Sequence, residues 1–242
     1  MHFHLPKPLH GWREFAGEVG VIVLGVLIAL GAEQVVEAIH WNFESGRAMD
    51  AVRKEAASHY RSAVELEVTA PCIDAQLQAL EKPLLMQTEG PAAAPVPANS
   101  LTGKIFAAPT WHWSDDVWRS TESAGVASHL DRQLRLQLAF YYSTIATLRQ
   151  SDNDTLLIGW RLRVLTQPMQ FDPATRARFI EELEEARGHY RYMQTLGRQI
   201  MDFDRKRNWL PTSEQLRRVQ LSPTVVYCRA HHLPLGRANL DG

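Results

Sequence analysis

Residues 19–32 read VGVIVLGVLIALGA, a run with no charged side chain. About 20 apolar residues are needed to cross ~30 Å of hydrocarbon. The run alone therefore fits a spanning helix, the core of a signal peptide or a buried helix of a soluble fold. Its flanks favour the first. Phe15, Ala16 and Gly17 extend it on one side past Glu18, and Val35, Val36, Ala38 and Ile39 extend it on the other past Glu33, Gln34 and Glu37. Charges near the ends of a spanning helix reach the headgroups at modest cost. Trp12 and Trp41 bracket the segment. Their separation is roughly 43 Å along a helix, close to the thickness of a bilayer with its headgroups, where Trp is enriched. No proline falls between Pro8 and Pro71. Ala29-Leu30-Gly31 has the spacing of a cleavage site, but the helical pattern runs on through Trp41. The segment reads as an uncleaved anchor carried by Trp12, Val19, Val21, Ile22, Leu24, Leu27, Ile28, Leu30 and Trp41. Within it, Ala16 with Gly20 and Gly25 with Ala29 are small-xxx-small pairs, candidates for close helix–helix contact.

Orientation follows from Lys and Arg near the span. Lys7 and Arg13 precede it, whereas Glu33, Glu37 and Glu44 follow it before the first basic residue, Arg47. The expectation is a cytoplasmic N-terminus with the bulk of the chain outside the cytoplasm. With 26 basic and 27 acidic residues the chain has no net basic field, which weighs against a nucleic-acid partner. Cys72 and Cys228 form no CxxC pair. In an oxidising space they are candidates for one long-range disulfide, and in a reducing one they are two thiols.

The stretch GEVGVIVLGVLIALGAEQVVEAIHW resembles the anchor of a family of small single-pass bacterial inner-membrane proteins. The stretch Thr121–Tyr142, TESAGVASHLDRQLRLQLAFYY, is similar to the same family's pattern: a Ser-Gly turn, an aliphatic patch, then a helix ending in paired tyrosines. The resemblance implies an inner-membrane location with a helical periplasmic part. It transfers no catalytic residue.

Past the anchor the chain reads as all-α. A cytoplasmic arm covers 1–14 and the anchor covers 15–40. A stalk helix ending before Pro71 and a second helix to about Met86 cover 41–86. A Pro/Ala-rich linker occupies 87–110, an antiparallel helical bundle 111–220 and an irregular tail 221–242. Ala48, Val52, Ala56, Tyr60, Ala63 and Val64 recur at helical steps. Leu134, Leu138, Tyr141, Ile145 and Leu148 do so more strongly, in a helix that Asp152 or Asn153 would break or recap. Ser114 before two acidic residues fits a helix start. Gly125 fits a turn, and Asp172-Pro173 a capped helix start. A short helix is expected after Thr212 or Ser213.

Candidate chemistry is sparse. Thr121-Glu122-Ser123-Ala124-Gly125 lacks the first glycine of a nucleophile elbow, and no strand precedes it. Glu181, Glu182, Glu184 and Glu185 lack the Glu-x-x-His pattern of a bundle metal site. Cys228, His231 and His232 make three donors without a fourth. His2, His4 and His10 sit in the arm. No catalytic, cofactor or metal residue is assigned, and no cofactor is expected. Trp111, Trp113 and Trp118 are the densest aromatic cluster, either core or a partner or ligand surface. The expected function is a non-catalytic, membrane-anchored accessory protein. Its partners would be the lipid bilayer and either a membrane-complex protein or a second copy. The alternative is a sensing module with an aromatic pocket at 111–118, and after it an enzyme with an unrecognised site.

Overall fold

The computed structural model describes residues 11–86, 105–166 and 171–237, and every regular element among them is helical. The elements are α1 (Trp12–Leu85), α2 (Asp116–Ser123), a 3₁₀ turn (Val126–His129), α3 (Arg132–Arg161) continuing into a second 3₁₀ turn (Leu162–Thr166), α4 (Pro173–Arg207), α5 (Ser213–Val219) and α6 (Pro223–Ala230). The arm as far as residue 10, the stretch 87–104 and the last five residues lie outside the described residues.

α1 is one helix of 74 residues, roughly 110 Å long at 1.5 Å per residue. It has two regimes. From Phe15 to Ile39 its residues are exposed, and this is the one helix among the described residues long and apolar enough to cross a membrane. From Val52 onward the same helix is core: Val52, Ala56, Ala63, Leu66, Ile73 and Leu77 are fully buried or nearly so. The sequence reading divided 41–86 into a stalk and a second helix. Instead one helix runs through both Pro71 and Pro83, and most of it is buried inside the bundle rather than standing free.

The proline at 71 is tolerated because another segment answers it. Pro71 has no N–H to give the Glu67 carbonyl, and its ring crowds that turn. The C-terminal segment lies across the notch. Gly236 donates its backbone N–H to the Val68 carbonyl at 2.9 Å, and a Cβ on Gly236 would stand 2.3 Å from the Glu67 oxygen. Beside the notch, Cys72 is bonded to Cys228 of α6, with Cα atoms 6.1 Å apart across 156 residues of chain. A loop of that length removes on the order of 5 kcal/mol of unfolded-state freedom in the chain-entropy account. The tail read as irregular therefore holds a helix, with Val225 and Cys228 fully buried, and a strap.

The bundle's directions follow from its side-chain pairs. Along α1 and α4, Glu81 meets Arg187, Glu67 meets Arg198 and Tyr60 meets Arg205. Along α3 and α4, Arg161 meets Glu182 while Tyr141 meets Phe203. α4 thus runs antiparallel to both, and α1 and α3 run parallel to each other. Gly197 lets α4 close on α1, since a Cβ there would lie 3.4 Å from that of Ala63.

Local signals explain most boundaries. Asp131 caps α3, and Asp172 caps α4 ahead of Pro173. Thr212 and Gln215 form a capping box on α5. Gly125 turns the chain at φ 76°. Three expectations are corrected. α3 passes unbroken through Asp152 and Asn153, whose poor propensity costs a few tenths of a kcal/mol each, far less than burying Leu148 and Ile158 at about 1.5–3 kcal/mol apiece supplies. The N-cap position of α2 is Asp115, one residue past Ser114, and it is the Ser114 hydroxyl that accepts the Asp116 N–H at 3.1 Å. The end of the linker, Ile105 to Ala108, is core. Gln76 fastens it in both directions, accepting from Ala107 N–H at 2.7 Å and donating to its carbonyl at 3.0 Å.

Gly236→Ala is expected to cost about 1–3 kcal/mol by overpacking the notch. Gly188→Ala, on open helix surface with nothing within 4 Å of its Cβ, is expected to add about 0.5–1 kcal/mol. Opposite shifts in thermal midpoint, read by circular dichroism, check the pair.

Candidate functional site

The sequence-derived candidates separate sharply. Trp111, Trp113 and Trp118 are buried, so they form core and not a surface or an open pocket. Trp118 stacks on Tyr142 with ring centroids 5.5 Å apart, and Trp111 packs edge-on against Tyr190. Ser123 ends α2 in solvent with its hydroxyl donated to the Ser120 carbonyl. Glu182 and Glu185 pair with Arg161, and Glu184 pairs with Arg187. Cys228 is spent in the disulfide, which removes the one thiolate from the set with His231 and His232. His2, His4 and His10 lie outside the described residues. The small pairs Ala16/Gly20 and Gly25/Ala29 are exposed on α1. Their midpoints are nine residues apart, about 180° around a helix at 100° per residue, so one flat helix–helix contact cannot use both.

Two features escaped the sequence. The first is a sealed polar core where α1, α3 and α4 meet. His59 Nδ1 lies 3.1 Å from the Tyr141 hydroxyl, which lies 3.5 Å from Asp204 Oδ2. His59 and Asp204 are fully buried. Burial pushes the His59 pKa from 6.5 down to about 4, against the opposing pull of the Ser114 backbone. Burial pushes Asp204 from 3.8 up to about 8, with the Tyr141 hydrogen bond opposing. At neutral pH both groups are therefore uncharged. The Tyr141 hydroxyl donates to Asp204 Oδ2 and shares its other hydrogen bond with His59 Nδ1. Beside it, Tyr142 donates to Glu55 at 2.7 Å. His59 sits on α1, Tyr141 on α3 and Asp204 on α4, so the network ties three helices together. Farther along, Arg187 is held by Asp74 at 3.0 Å, by Glu81 at 2.9 Å and by Glu184. Burial pulls its pKa down, but the hydrogen bond and charge of Glu81, with Glu184 and Asp74, outweigh that and hold it above the usual arginine value.

The second feature is an open groove of about 1020 Å³ directly over that network, between α3 and the end of α4. Tyr141, Ile200, Phe203 and Trp209 make its floor, while Leu136 and Phe140 stand on its lip at 61% and 68% exposure. Lys206 and Arg207 border it. Arg207 donates to Gln137 and lies over the Phe203 and Trp209 rings at 5.2 and 5.4 Å. Leu136 and Phe140 are an i, i+4 pair of apolar residues on the solvent side of α3, a detectable signal that amphipathic reading folds into the core stripe. The groove also lies at a set distance along α1 from the end of the apolar segment. Trp41, where the apolar segment ends, stacks on His129 at 3.9 Å and donates to Glu37 at 3.2 Å. From there to the groove residues Met49 and Arg53 is roughly 12–18 Å along α1.

No protein-family model matches the chain, and no curated protein or solved structure matches it.

The two buried titrations fix a pH profile. Between about pH 4 and 8 folded Asp204 keeps a proton that the unfolded chain releases, so its stabilisation fades as pH rises. Between about pH 4 and 6.5 folded His59 lacks a proton that the unfolded chain holds, so its contribution grows as pH rises. The two oppose each other up to pH 6.5. Above that Asp204 dominates, with half-buried Glu65 shifted in the same direction, and the Asp204 contribution is expected to fall by ~2 kcal/mol by pH 8 at about 1.4 kcal/mol per unit. Urea unfolding from pH 5 to 8.5 checks this, and Asp204→Asn should flatten the fall above pH 6.5.

Proposed function

We infer that the chain is a membrane-anchored, non-catalytic accessory protein that presents a helical periplasmic module to a protein of a membrane complex. One observation carries this reading: α1 leaves its uncovered apolar segment and becomes bundle core without a break. A helix joined in that way holds the bundle at a set height above a bilayer, which suits presentation to a neighbour. A flexible tether would suit free search better. The disulfide supports an oxidising compartment for the bundle. That agrees with Lys7 and Arg13 before the span and Glu33, Glu37 and Glu44 after it. The resemblance of the anchor to bacterial inner-membrane proteins supports the same location. Support for the non-catalytic part comes from the fate of the reactive groups: Ser123 in a helix end, the glutamates in ion pairs and His59 sealed from solvent. The aromatic-pocket alternative loses its pocket, because its three tryptophans are interior.

Two measurements on the full-length chain test this. Protease added outside spheroplasts is expected to degrade the bulk of the chain, and protection of the bulk would reverse the topology. Extraction in mild detergent is expected to recover a second protein in fixed stoichiometry, and a lone monomer would contradict the accessory role.

A further inference from the structure

We propose that the groove between α3 and the end of α4 is the docking site for an acidic amphipathic helix of a membrane-complex protein. The proposal rests on the accessory reading above and names the surface and the kind of partner.

The lining mixes an apolar floor and lip with Gln133, Gln137 and Gln199 along the edges, and it carries Lys206 and Arg207 toward one end. Residues Gln133 to Thr144 of α3 border it, roughly 16 Å at 1.5 Å per residue. That matches about three turns of a guest helix. Leu136 and Phe140 are one helical turn apart and already exposed, so they can pack between guest side chains at i, i+3, i+4 and i+7 without opening the fold. The floor beneath is rigid, since Tyr141 belongs to the sealed network and Phe203 packs on Trp209 with centroids 5.7 Å apart. Guest binding would therefore bury apolar surface at little ordering cost.

Charge selects the guest. Among the described residues Lys206 and Arg207, which line the groove, have no carboxylate partner, and neither does Arg132, which stands just outside the lining one turn before Leu136 on α3. The nearby acids are already engaged, Asp50 with Arg53, Asp202 with Arg205, and Asp131 with the Leu134 N–H as the cap of α3. The free positive charge gathers at the end of the groove nearest the anchor. Carboxylates on that end of a guest would find cations there in a partly dry setting. A second copy would bring the same cations against themselves. A bilayer lipid would have to rise roughly 12–18 Å past the Trp41 level to reach the floor.

The test places a photoreactive benzoylphenylalanine at Phe140 in the full-length chain, irradiates native membranes and sequences the cross-linked peptide. The expected adduct is a foreign peptide with apolar residues at helical spacing and net negative charge. Its yield should fall at least tenfold with Lys206→Glu plus Arg132→Glu, both on exposed surface. An adduct with a second copy, an adduct with lipid only, a neutral or basic peptide, or no adduct would each overturn the proposal. Mild-detergent extraction of the same strain separates the two claims. A stoichiometric partner without an adduct at 140 overturns the groove and leaves the accessory reading standing. Loss of both ends both.

Discussion

An α-helix satisfies its backbone donors and acceptors internally, so the same element can lie in hydrocarbon or in a protein core. The rest of this structure depends on that property. α1 carries an uncovered apolar segment and the central column of the bundle in one length of helix. Side chains alone change its surroundings: uncharged and apolar on all faces over 19–32, then carrying a buried face from Val52. Because nothing interrupts the helix between the two, the position of the bundle follows from the position of the anchor. The Trp41–His129 stack adds a second tie at the junction.

The far end of the column is where backbone satisfaction fails, and there the fold adds its other restraints. Pro71 opens one turn of α1, and the C-terminal strap occupies it through Gly236. The disulfide and Arg187 with its three carboxylates lie in the same region. The groove sits at the opposite end, near the anchor, where the bundle's lip is apolar and exposed. Restraint is thus concentrated at the end of the bundle far from the apolar segment, and the groove with its exposed Leu136 and Phe140 lies toward that segment.

The all-α class was legible because the periodicities at 48–64 and 130–148 are long and regular, and caps such as Asp172-Pro173 act locally. Pro71 misled because its effect depends on Gly236, more than 160 residues away. Ile105 to Ala108 misled because a short apolar run beside a proline-rich stretch carries no sign of Gln76 waiting for its backbone. The pairing of Cys72 with Cys228 stayed open for the same reason: spacing does not measure distance in space. The groove was half legible. Leu136 and Phe140 are visible in the α3 pattern, but their exposure depends on where α4 ends.

The most direct test of a single uninterrupted column is a nitroxide scan of residues 15–60 in lipid nanodiscs, one label at a time. Collision rates with oxygen and with a water-soluble nickel chelate would be measured at each site. The account predicts oxygen-dominated relaxation through Ile39 and a crossover near Trp41. From Met49 on, it predicts a buried stripe in helical phase with no break. Nickel access throughout 19–32, or loss of helical phase between 40 and 49, would contradict it.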